Sequence, residues 1–412
     1  MKIKIVYKYL FILLLPSLIV SKAANSMIFV ILAIFSLFLL KNKYQQGFFQ
    51  KYLLFSSFLA SIIIGLSIDV FNQNNLEFRE IIKRASFIFM PFIVYFSKKQ
   101  LQLLTLKVFI YFLTFLSFTL VIVGFIRSII NRGVIIYGIW DSKTTEGFYS
   151  QDRILNWGEL SYKRLFLYFD MHPTYYSLFS IIVILLILFT NILTLTKKKK
   201  IALAIIHSIM IILVSSKAGI FSLSFILIIK LITDFNKKHL IIITSTLAIL
   251  TFFVFIIPST QLRVKRAIDS ISLQKPDLKK SSTNERLILW KSINDFSFQE
   301  LILGSGYKLS RRKIISLTGI DKNMHNQYLQ TLIISGLIGF VLIIFFLFLP
   351  LIYQQNLFVK IFIFIVVFNL LFENMLDRIW GIMIISFFYS IFIFGNLNFD
   401  QDLDLNRKHI IN

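Results

Sequence analysis

The chain has 412 residues, of which 57% are apolar and 16% are charged, with a formal net charge of +24 and no cysteine. This composition excludes an ordinary soluble domain, and the lack of cysteine excludes disulfides and thiolate chemistry. The long apolar runs suit a bilayer, whose core of about 30 Å needs roughly 20 helical residues. A β-barrel would show shorter alternating segments, so the sequence predicts an all-α, polytopic membrane protein.

About twelve transmembrane helices are predicted. They lie near residues 6–21, 26–40, 52–70, 82–96, 103–126, 175–195, 201–216, 218–233, 240–257, 327–350, 358–372 and 380–396. The first follows a basic start that resembles a signal peptide, yet no small-residue cleavage site precedes the next segment. We therefore expect this first helix to be retained.

Two extracytoplasmic loop regions interrupt the helices and divide the chain into six parts. The parts are helices 1 to 5 (1–126), a first loop (127–174), helices 6 to 9 (175–257), a larger second loop (258–326), helices 10 to 12 (327–396) and a tail (397–412). With a cytoplasmic N-terminus, short basic connections such as Lys197 to Lys200 fall inside, as the positive-inside rule requires. Both termini are then cytoplasmic, and both long loops face the opposite side of the membrane.

The second loop is strongly basic. Thirteen Lys or Arg residues between Arg263 and Lys322 face six Asp or Glu residues. Such a surplus indicates an anionic neighbour, and residues 263–271 favour acidic lipid headgroups. No nucleic-acid fold is visible, so we expect membrane lipids as partners and no nucleic acid.

Arg286 and Trp290 share one face of a helix that is predicted to start near Thr283. A guanidinium held in this way suits phosphate oxygens, although an arginine lying beside an interfacial tryptophan fits the same spacing. Gly304 and Gly306 then supply backbone that turns sharply or approaches a ligand closely.

His325 and His172 are the two of the five histidines that the topology places on the outer side. A neutral imidazole is the usual side chain for removing a proton from a hydroxyl group. A lone histidine at the start of a span is more often a hydrogen-bonding residue at the helix end. Its neighbours must therefore decide its role.

Several motifs together resemble the O-antigen ligase and O-antigen polymerase superfamily. They are Arg286-(x3)-Trp290, Gly304-Ser305-Gly306, His325-Asn326-Gln327-Tyr328-Leu329-Gln330, Gly336-Leu337-Ile338-Gly339, Ser215-Ser216-Lys217-Ala218-Gly219, His172-Pro173-Thr174-Tyr175 and the turn Glu373-Asn374 with Arg378. The resemblance extends from about Asp170 onward. Lys217 stands where the family usually has arginine, which weakens the expectation of a bidentate phosphate contact there.

The resemblance implies a metal-independent, inverting glycosyltransferase without a cofactor. Its donor would be a glycan on undecaprenyl pyrophosphate, and its acceptor a sugar hydroxyl at the periplasmic face of the bacterial inner membrane. His325 would be the base and Arg286 the catalytic cation, which makes the second loop catalytic. The substrate-binding residues would be Lys217, His172, Gly304, Gly306, Asn326, Tyr328 and Arg378.

Three functions stay open. A ligase would use the lipid A core as acceptor, and a polymerase would use a second lipid-linked glycan. The run from His325 to Gly336 and the size favour a ligase, whereas the two outer loops and the spacing of Arg127 and Gly138 fit a polymerase. A lipid-linked oligosaccharide flippase would concentrate polar groups near the middle of the membrane, but here they lie at helix ends and in loops.

Overall fold

A computed structural model describes residues 2–40, 47–72, 78–131, 156–167, 169, 171–233, 282–397 and 399. Within these ranges every regular element is a helix and no strand occurs, which confirms the all-α prediction. The predicted span at 240–257 lies outside the described residues. So do most of the first loop, the start of the second loop and nearly all of the tail.

The described residues form eighteen α-helices. They are α1 (Lys2–Val20), α2 (Lys22–Leu40), α3 (Phe48–Phe55), α4 (Ser57–Phe71), α5 (Phe78–Lys83), α6 (Ala85–Tyr95), α7 (Lys99–Ile130), α8 (Tyr162–Leu165), α9 (Pro173–Phe189), α10 (Lys197–Val214), α11 (Lys217–Thr233), α12 (Ser282–Lys291), α13 (Phe298–Leu303), α14 (Gly306–Thr318), α15 (Gln327–Phe348), α16 (Pro350–Tyr353), α17 (Leu357–Leu370) and α18 (Ile379–Phe394). Two 3₁₀ helices cover Ser292–Asp295 and Met375–Asp377.

Several of these helices are long and apolar enough to cross a membrane. Within the described residues, α2, α7 and the segment Gln327–Tyr353 meet both criteria by length and composition. The helices α3 and α4, bent by 45° at their junction, make a fourth span if the pair crosses together. The apolar helices α9, α17 and α18 are shorter. The protein is therefore a membrane protein, and the number of about twelve spans stays a prediction.

Local sequence explains where the helices that follow the two His-containing motifs begin. Pro173 occupies the first turn of α9, where its missing N–H would have no partner in any case. Asn326 precedes α15, and its side-chain oxygen accepts hydrogen bonds from the backbone nitrogens of Tyr328 (3.0 Å) and Leu329 (3.1 Å). Helix α15 therefore begins at Gln327, the residue at which the sequence predicts its start.

The chain divides into two compact units. Unit 1 comprises Met1–Phe11, Ser26–Gln102 and Arg266–Asn398, and unit 2 comprises Ile12–Asn25, Leu103–Lys265 and Phe399–Asn412. Unit 1 contains all the predicted site residues of the second loop and of the helices after it. Unit 2 contains His172 and Lys217.

Aromatic packing fixes the helices of unit 1 that carry the second loop. Phe55, Phe58, Phe87 and Phe346 come from α3, α4, α6 and α15, and all four are buried. The ring of Phe58 lies 4.6 Å from that of Phe87 and 5.3 Å from that of Phe346. Tilted and edge-on contacts at these distances are favourable for aromatic pairs. This cluster joins the early helices of the chain to α15.

The described part of the second loop, residues 282–326, is a folded helical segment. Its buried side chains form a hydrophobic core with the first turns of α15. The core consists of Leu289, Phe296, Ile314, Ile320, Met324, Ile333 and Ile334. Helices α12, α13 and α14 are thereby held against the N-terminal half of α15.

A capping box opens α13 and makes the stability of the loop depend on pH. Ser297 Oγ accepts a hydrogen bond from the Glu300 backbone, and Glu300 accepts one from the Ser297 backbone (2.7 Å). Lys313 Nζ lies 2.6 Å from the same carboxylate. Burial by itself raises the pKa of Glu300, but the bonds from Lys313 and Ser297 outweigh it and hold this pKa below its ordinary value.

We expect Glu300→Gln to lower the free energy of unfolding at neutral pH by about 0.5 kcal/mol, because glutamine can keep the capping bond but loses the charge that pairs with Lys313. Because the folded-state pKa is lowered, this stability is present above the unfolded pKa of about 4.3 and is lost as the pH falls through the folded value. Thermal unfolding of both proteins in detergent at neutral and acidic pH measures it. An equal difference at both pH values would contradict the assignment.

Candidate active site

The two catalytic residues predicted from the sequence meet at one carboxylate. Arg286 Nη2 donates to Glu373 Oε1 over 2.7 Å, and His325 Nδ1 lies 3.5 Å from Glu373 Oε2. Arg286 comes from α12, His325 from the turn before α15 and Glu373 from the turn after α17. All three side chains are partly exposed, so that a ligand can reach the cluster.

The turn before His325 is held on two sides. Trp290 Nε1 donates to the backbone oxygen of Met324 over 2.8 Å, and Gln330 Oε1 accepts from the Met324 nitrogen over 2.9 Å. Met324 itself is fully buried. His325 adopts the left-handed conformation with φ of 48°, which a residue other than glycine keeps only when its surroundings impose it. Both members of the Arg286/Trp290 motif therefore act on the position of His325.

Glu373 is the site residue to which the sequence analysis gave no role. It belongs to the quoted polar turn, but the role went to Arg378, which is exposed and forms no ion pair with any described residue. The available signal was a carboxylate between two strongly apolar helices, where a charge needs a partner. The partner was already among the predicted residues, since it is Arg286.

A buried arginine fixes the turn that carries Glu373. Arg84 Nε donates to the backbone oxygen of Leu376 (3.0 Å), Nη1 donates to Glu80 Oε2 (2.7 Å), and Nη2 pairs with Asp377. Burial raises the pKa of Glu80, but Arg84 and Lys83 more than offset it, and this pKa lies below its ordinary value. The network thus ties α5 to the turn at residues 373–377.

We expect Arg84→Lys to lower the free energy of unfolding by about 2 kcal/mol. An ammonium group lacks the planar fork, so it leaves at least one buried acceptor without a partner, at about 1–3 kcal/mol each. The matched control is Arg311→Lys, whose bond to Asp321 joins side chains that are 67% and 57% exposed and contributes little. Thermal unfolding in one detergent compares them, and equal shifts would contradict the role of Arg84.

Gly304 lies against the backbone of α15. A Cβ atom on Gly304, whose φ is 85°, would lie 2.6 Å from the Ile334 oxygen and 2.7 Å from the Gly336 nitrogen. Gly336 has φ of 66° and interrupts the helical conformation of α15, and a Cβ atom there would overlap the carbonyl oxygen of Ile302. The close backbone approach expected of Gly304 is thus made to the protein itself, and its contact with substrate stays a prediction.

Gly306 lies against an aspartate that the sequence analysis missed. Asp69 is fully buried, and its carboxylate accepts hydrogen bonds from the backbone nitrogens of Tyr307 (2.9 Å) and Lys308 (3.1 Å). A Cβ atom on Gly306 would lie 2.5 Å from this carboxylate. Asp69 therefore satisfies the first turn of α14 and links it to α4. A single acidic residue within a predicted span was the signal.

Asn326 and Tyr328 both make structural contacts. Asn326 caps α15, and the Tyr328 hydroxyl donates to the backbone oxygen of Val367 over 2.9 Å. The bond from Tyr328 joins α15 to α17. A role of either residue in binding substrate stays a prediction.

The predicted site residues of unit 2 lie at two helix starts. His172 precedes α9, and its Nδ1 accepts a hydrogen bond from the Thr174 nitrogen over 3.3 Å. Lys217 is exposed and is the first residue of α11. A Cβ atom on Gly219 would overlap the Ser177 hydroxyl, so this glycine of the Ser-Lys-Ala-Gly motif lets α11 pack on α9.

Arg127, the residue that fits a polymerase pattern, has a structural partner. Its Nε lies 3.5 Å from a carboxylate oxygen of the buried Glu159, and its Nη2 donates to the Arg164 backbone oxygen over 2.6 Å. The other member of the pattern, Gly138, lies outside the described residues. Elsewhere in the described chain, no three His, Asp or Glu side chains gather as a metal site requires.

One comparison with known proteins finds a family that the chain resembles. Residues 182–344 match the family model described as O-antigen ligase, and a search of curated proteins finds no match. The matched segment contains Lys217, Arg286 and His325, whereas His172, Glu373 and Arg378 lie outside it. This match supports the resemblance of the chain to the O-antigen ligase and O-antigen polymerase superfamily.

Proposed function

We propose that this protein is an inverting glycosyltransferase of the O-antigen ligase type. It transfers a glycan from undecaprenyl pyrophosphate to a sugar hydroxyl of the lipid A core at the outer face of the bacterial inner membrane. The observation that supports this most directly is the convergence of His325, Glu373 and Arg286, because the reaction needs a base, a group that orients the base, and a cation. Both termini are cytoplasmic in this proposal.

His325 is the general base. When the Glu373 carboxylate accepts a hydrogen bond from Nδ1–H, that nitrogen keeps its proton and Nε2 presents its lone pair to the acceptor hydroxyl. Nε2 takes the hydroxyl proton as the oxygen attacks the anomeric carbon and the bond from that carbon to the pyrophosphate breaks. A single in-line displacement inverts the anomeric centre. The imidazolium that forms is stabilised by the nearby carboxylate.

Arg286 stabilises the departing pyrophosphate. A guanidinium has five N–H donors, and Glu373 accepts one of them, so others are available to phosphate oxygens. We assign supporting contacts to Arg378 and Lys217, of which Lys217 supplies a point charge rather than a bidentate fork. In this proposal the cations neutralise the leaving group without a metal ion.

A polymerase would share this chemistry and differ in the acceptor. The spacing of Arg127 and Gly138 supports it less than the sequence alone did, because Arg127 is bound to Glu159 and to the Arg164 backbone. A flippase would also bind the lipid-linked donor, but it needs no base. The partly exposed His325 beside Glu373 therefore favours an enzyme.

Transfer in vitro tests the proposal. Purified protein receives an undecaprenyl-pyrophosphate glycan with a lipid A core acceptor or with more donor alone, and the products are resolved by mass. Glycan on the core is the result expected of a ligase. Ladders from donor alone would establish a polymerase instead, and binding of donor without any product would favour transport.

A further inference from the structure

A short helix of the second loop presents apolar side chains to its surroundings. In α13, Phe298 is 79% exposed and Leu303 is 58% exposed, and Ile302 is also exposed. Single exposed apolar residues are ordinary on a protein surface. Three of them on a helix of six residues form a patch that requires a specific partner.

The position of α13 along α15 is fixed by backbone contacts. Directly after α13, the Ser305 nitrogen donates to the Ile333 oxygen over 2.8 Å. Gly304 lies against Gly336, and a Cβ atom on Gly336 would lie 2.6 Å from the Leu303 carbonyl carbon. The C-terminal end of α13 is therefore level with Gly336.

The length of the apolar segment formed by α15 and the short α16 places the membrane boundary near the same level. The segment Gln327–Tyr353 has 27 residues, which as a helix extend about 40 Å against a hydrocarbon core of about 30 Å. A segment that crosses the bilayer upright therefore leaves roughly seven residues outside the hydrocarbon.

Burial shows at which end of the segment the residues outside the hydrocarbon lie. The first ten residues of α15, through Gly336, are buried or half-buried by the second loop and the neighbouring helices, whereas Leu337, Ile338 and Val341 are exposed apolar side chains. Ile338 is 64% exposed. The lipid-facing surface of α15 therefore begins just after Gly336, and the apolar patch of α13 continues it.

Two cations lie on the helix that follows α13. Lys308 and Arg312 stand four residues apart on α14, and neither forms an ion pair with another described residue. Their neighbour Lys313 is instead bound to Glu300. Lys308 is half-buried and Arg312 is exposed. Cations of this kind near an apolar patch at a membrane boundary match anionic lipid headgroups.

We propose that α13 is an interfacial anchor that inserts Phe298, Ile302 and Leu303 into the outer leaflet of the membrane. Lys308 and Arg312 contact the anionic headgroups at the same boundary. Because α15 rises about 14 Å between Gly336 and its start at Gln327, the anchor sets the height of His325 above the hydrocarbon. This interaction with lipid does not depend on the proposed transfer activity.

Site-directed spin labelling tests the anchor, and the absence of native cysteine makes single-cysteine variants specific. Phe298→Cys and Leu303→Cys are labelled with a nitroxide in vesicles of phosphatidylethanolamine and phosphatidylglycerol. Collision with oxygen, which concentrates in lipid, is compared with collision with a water-soluble nickel chelate. The lipid reference is Ile338→Cys, and the water reference in the same loop is Asp321→Cys, whose native side chain is 57% exposed.

Labels at positions 298 and 303 are expected to show the preference for oxygen that the label at position 338 shows. Labels at 298 and 303 that respond to the nickel chelate as strongly as the label at 321 would overturn the anchor. All four native side chains are exposed, so the labels disturb no core contact, and elution of each variant as a single species checks its fold. The readout needs no glycan substrate, so a failed anchor is distinguishable from a failed transferase.

Discussion

Replacement of His325 by Ala is expected to lower kcat for glycan transfer by about a hundredfold to ten-thousandfold, the usual contribution of a general base. Glu373→Gln is expected to lower kcat on the order of a hundredfold while KM for the donor changes little. Glutamine keeps the shape of the side chain but removes the charge that stabilises the imidazolium. Initial rates with lipid-linked donor and core acceptor measure both effects.

Two controls make this result specific to the cluster. His409→Ala removes a histidine that the predicted topology puts in the cytoplasm, and it should leave transfer unchanged. Glu285 lies on the same helix as Arg286, and its carboxylate is 2.6 Å from Lys322 Nζ. The variant Glu285→Gln should also retain activity. Full transfer by a correctly folded His325→Ala protein would exclude His325 as the base.

A double variant tests whether Glu373 acts through His325. If the carboxylate serves only to orient and stabilise the imidazole, the protein with both His325→Ala and Glu373→Gln should be no slower than His325→Ala alone. Multiplied losses would instead give Glu373 a separate role, such as positioning Arg286. The 2.7 Å bond between Glu373 and Arg286 makes that second outcome a meaningful alternative.

The sequence predicts those features that depend on nearby residues. Apolar runs predict helices because a bilayer leaves backbone groups no other partner, and Asn326 predicts the start of α15 because its side chain caps the first turn. Arg286 and His325 were predicted from residue chemistry and a family resemblance. In the fold both side chains approach the carboxylate of Glu373.

The partners of these residues could not be predicted, because they come from distant parts of the chain. Glu373 is 48 residues from His325, Asp69 is 238 residues from Tyr307, and Arg84 is 292 residues from Leu376. Helical periodicity relates positions three or four residues apart and contains no information on such pairs. A buried charge in an apolar segment indicates only that a partner exists.

Glycines show the same limit in another form. The sequence predicted close backbone approach at Gly304, whereas Gly336 was noted only as part of a family motif, and nothing in the sequence related one glycine to the other. In the fold the two glycines lie against each other, because α13 contacts α15 where neither residue has a side chain. The substrate contact predicted for Gly304 competes with this packing role for the same small space.

Gly304→Ala and Gly336→Ala are each expected to lower the free energy of unfolding by about 2–6 kcal/mol, the sum of a conformational cost and a packing cost. Both residues combine a positive φ with an extended ψ (162° at Gly304 and −167° at Gly336), a conformation that costs an alanine about 1–3 kcal/mol. The added methyl groups also meet backbone atoms, which cannot rotate away, and overpacking adds about 1–3 kcal/mol. Thermal unfolding in detergent at one fixed scan rate compares the variants.

Gly319→Ala is the matched control, because Gly319 has φ of 68° but no atom within 4 Å of the position of a Cβ. Gly319→Ala should show the cost of a positive φ without any close contact. A shift as large as that of Gly304→Ala would mean that the contact between α13 and α15 does not explain the loss of stability. The two glycines share one contact, and the double variant should therefore lose less stability than the sum of the single variants. Strict additivity would mean that α13 and α15 are held together elsewhere, and then Gly336 would no longer fix the level of α13 at the membrane.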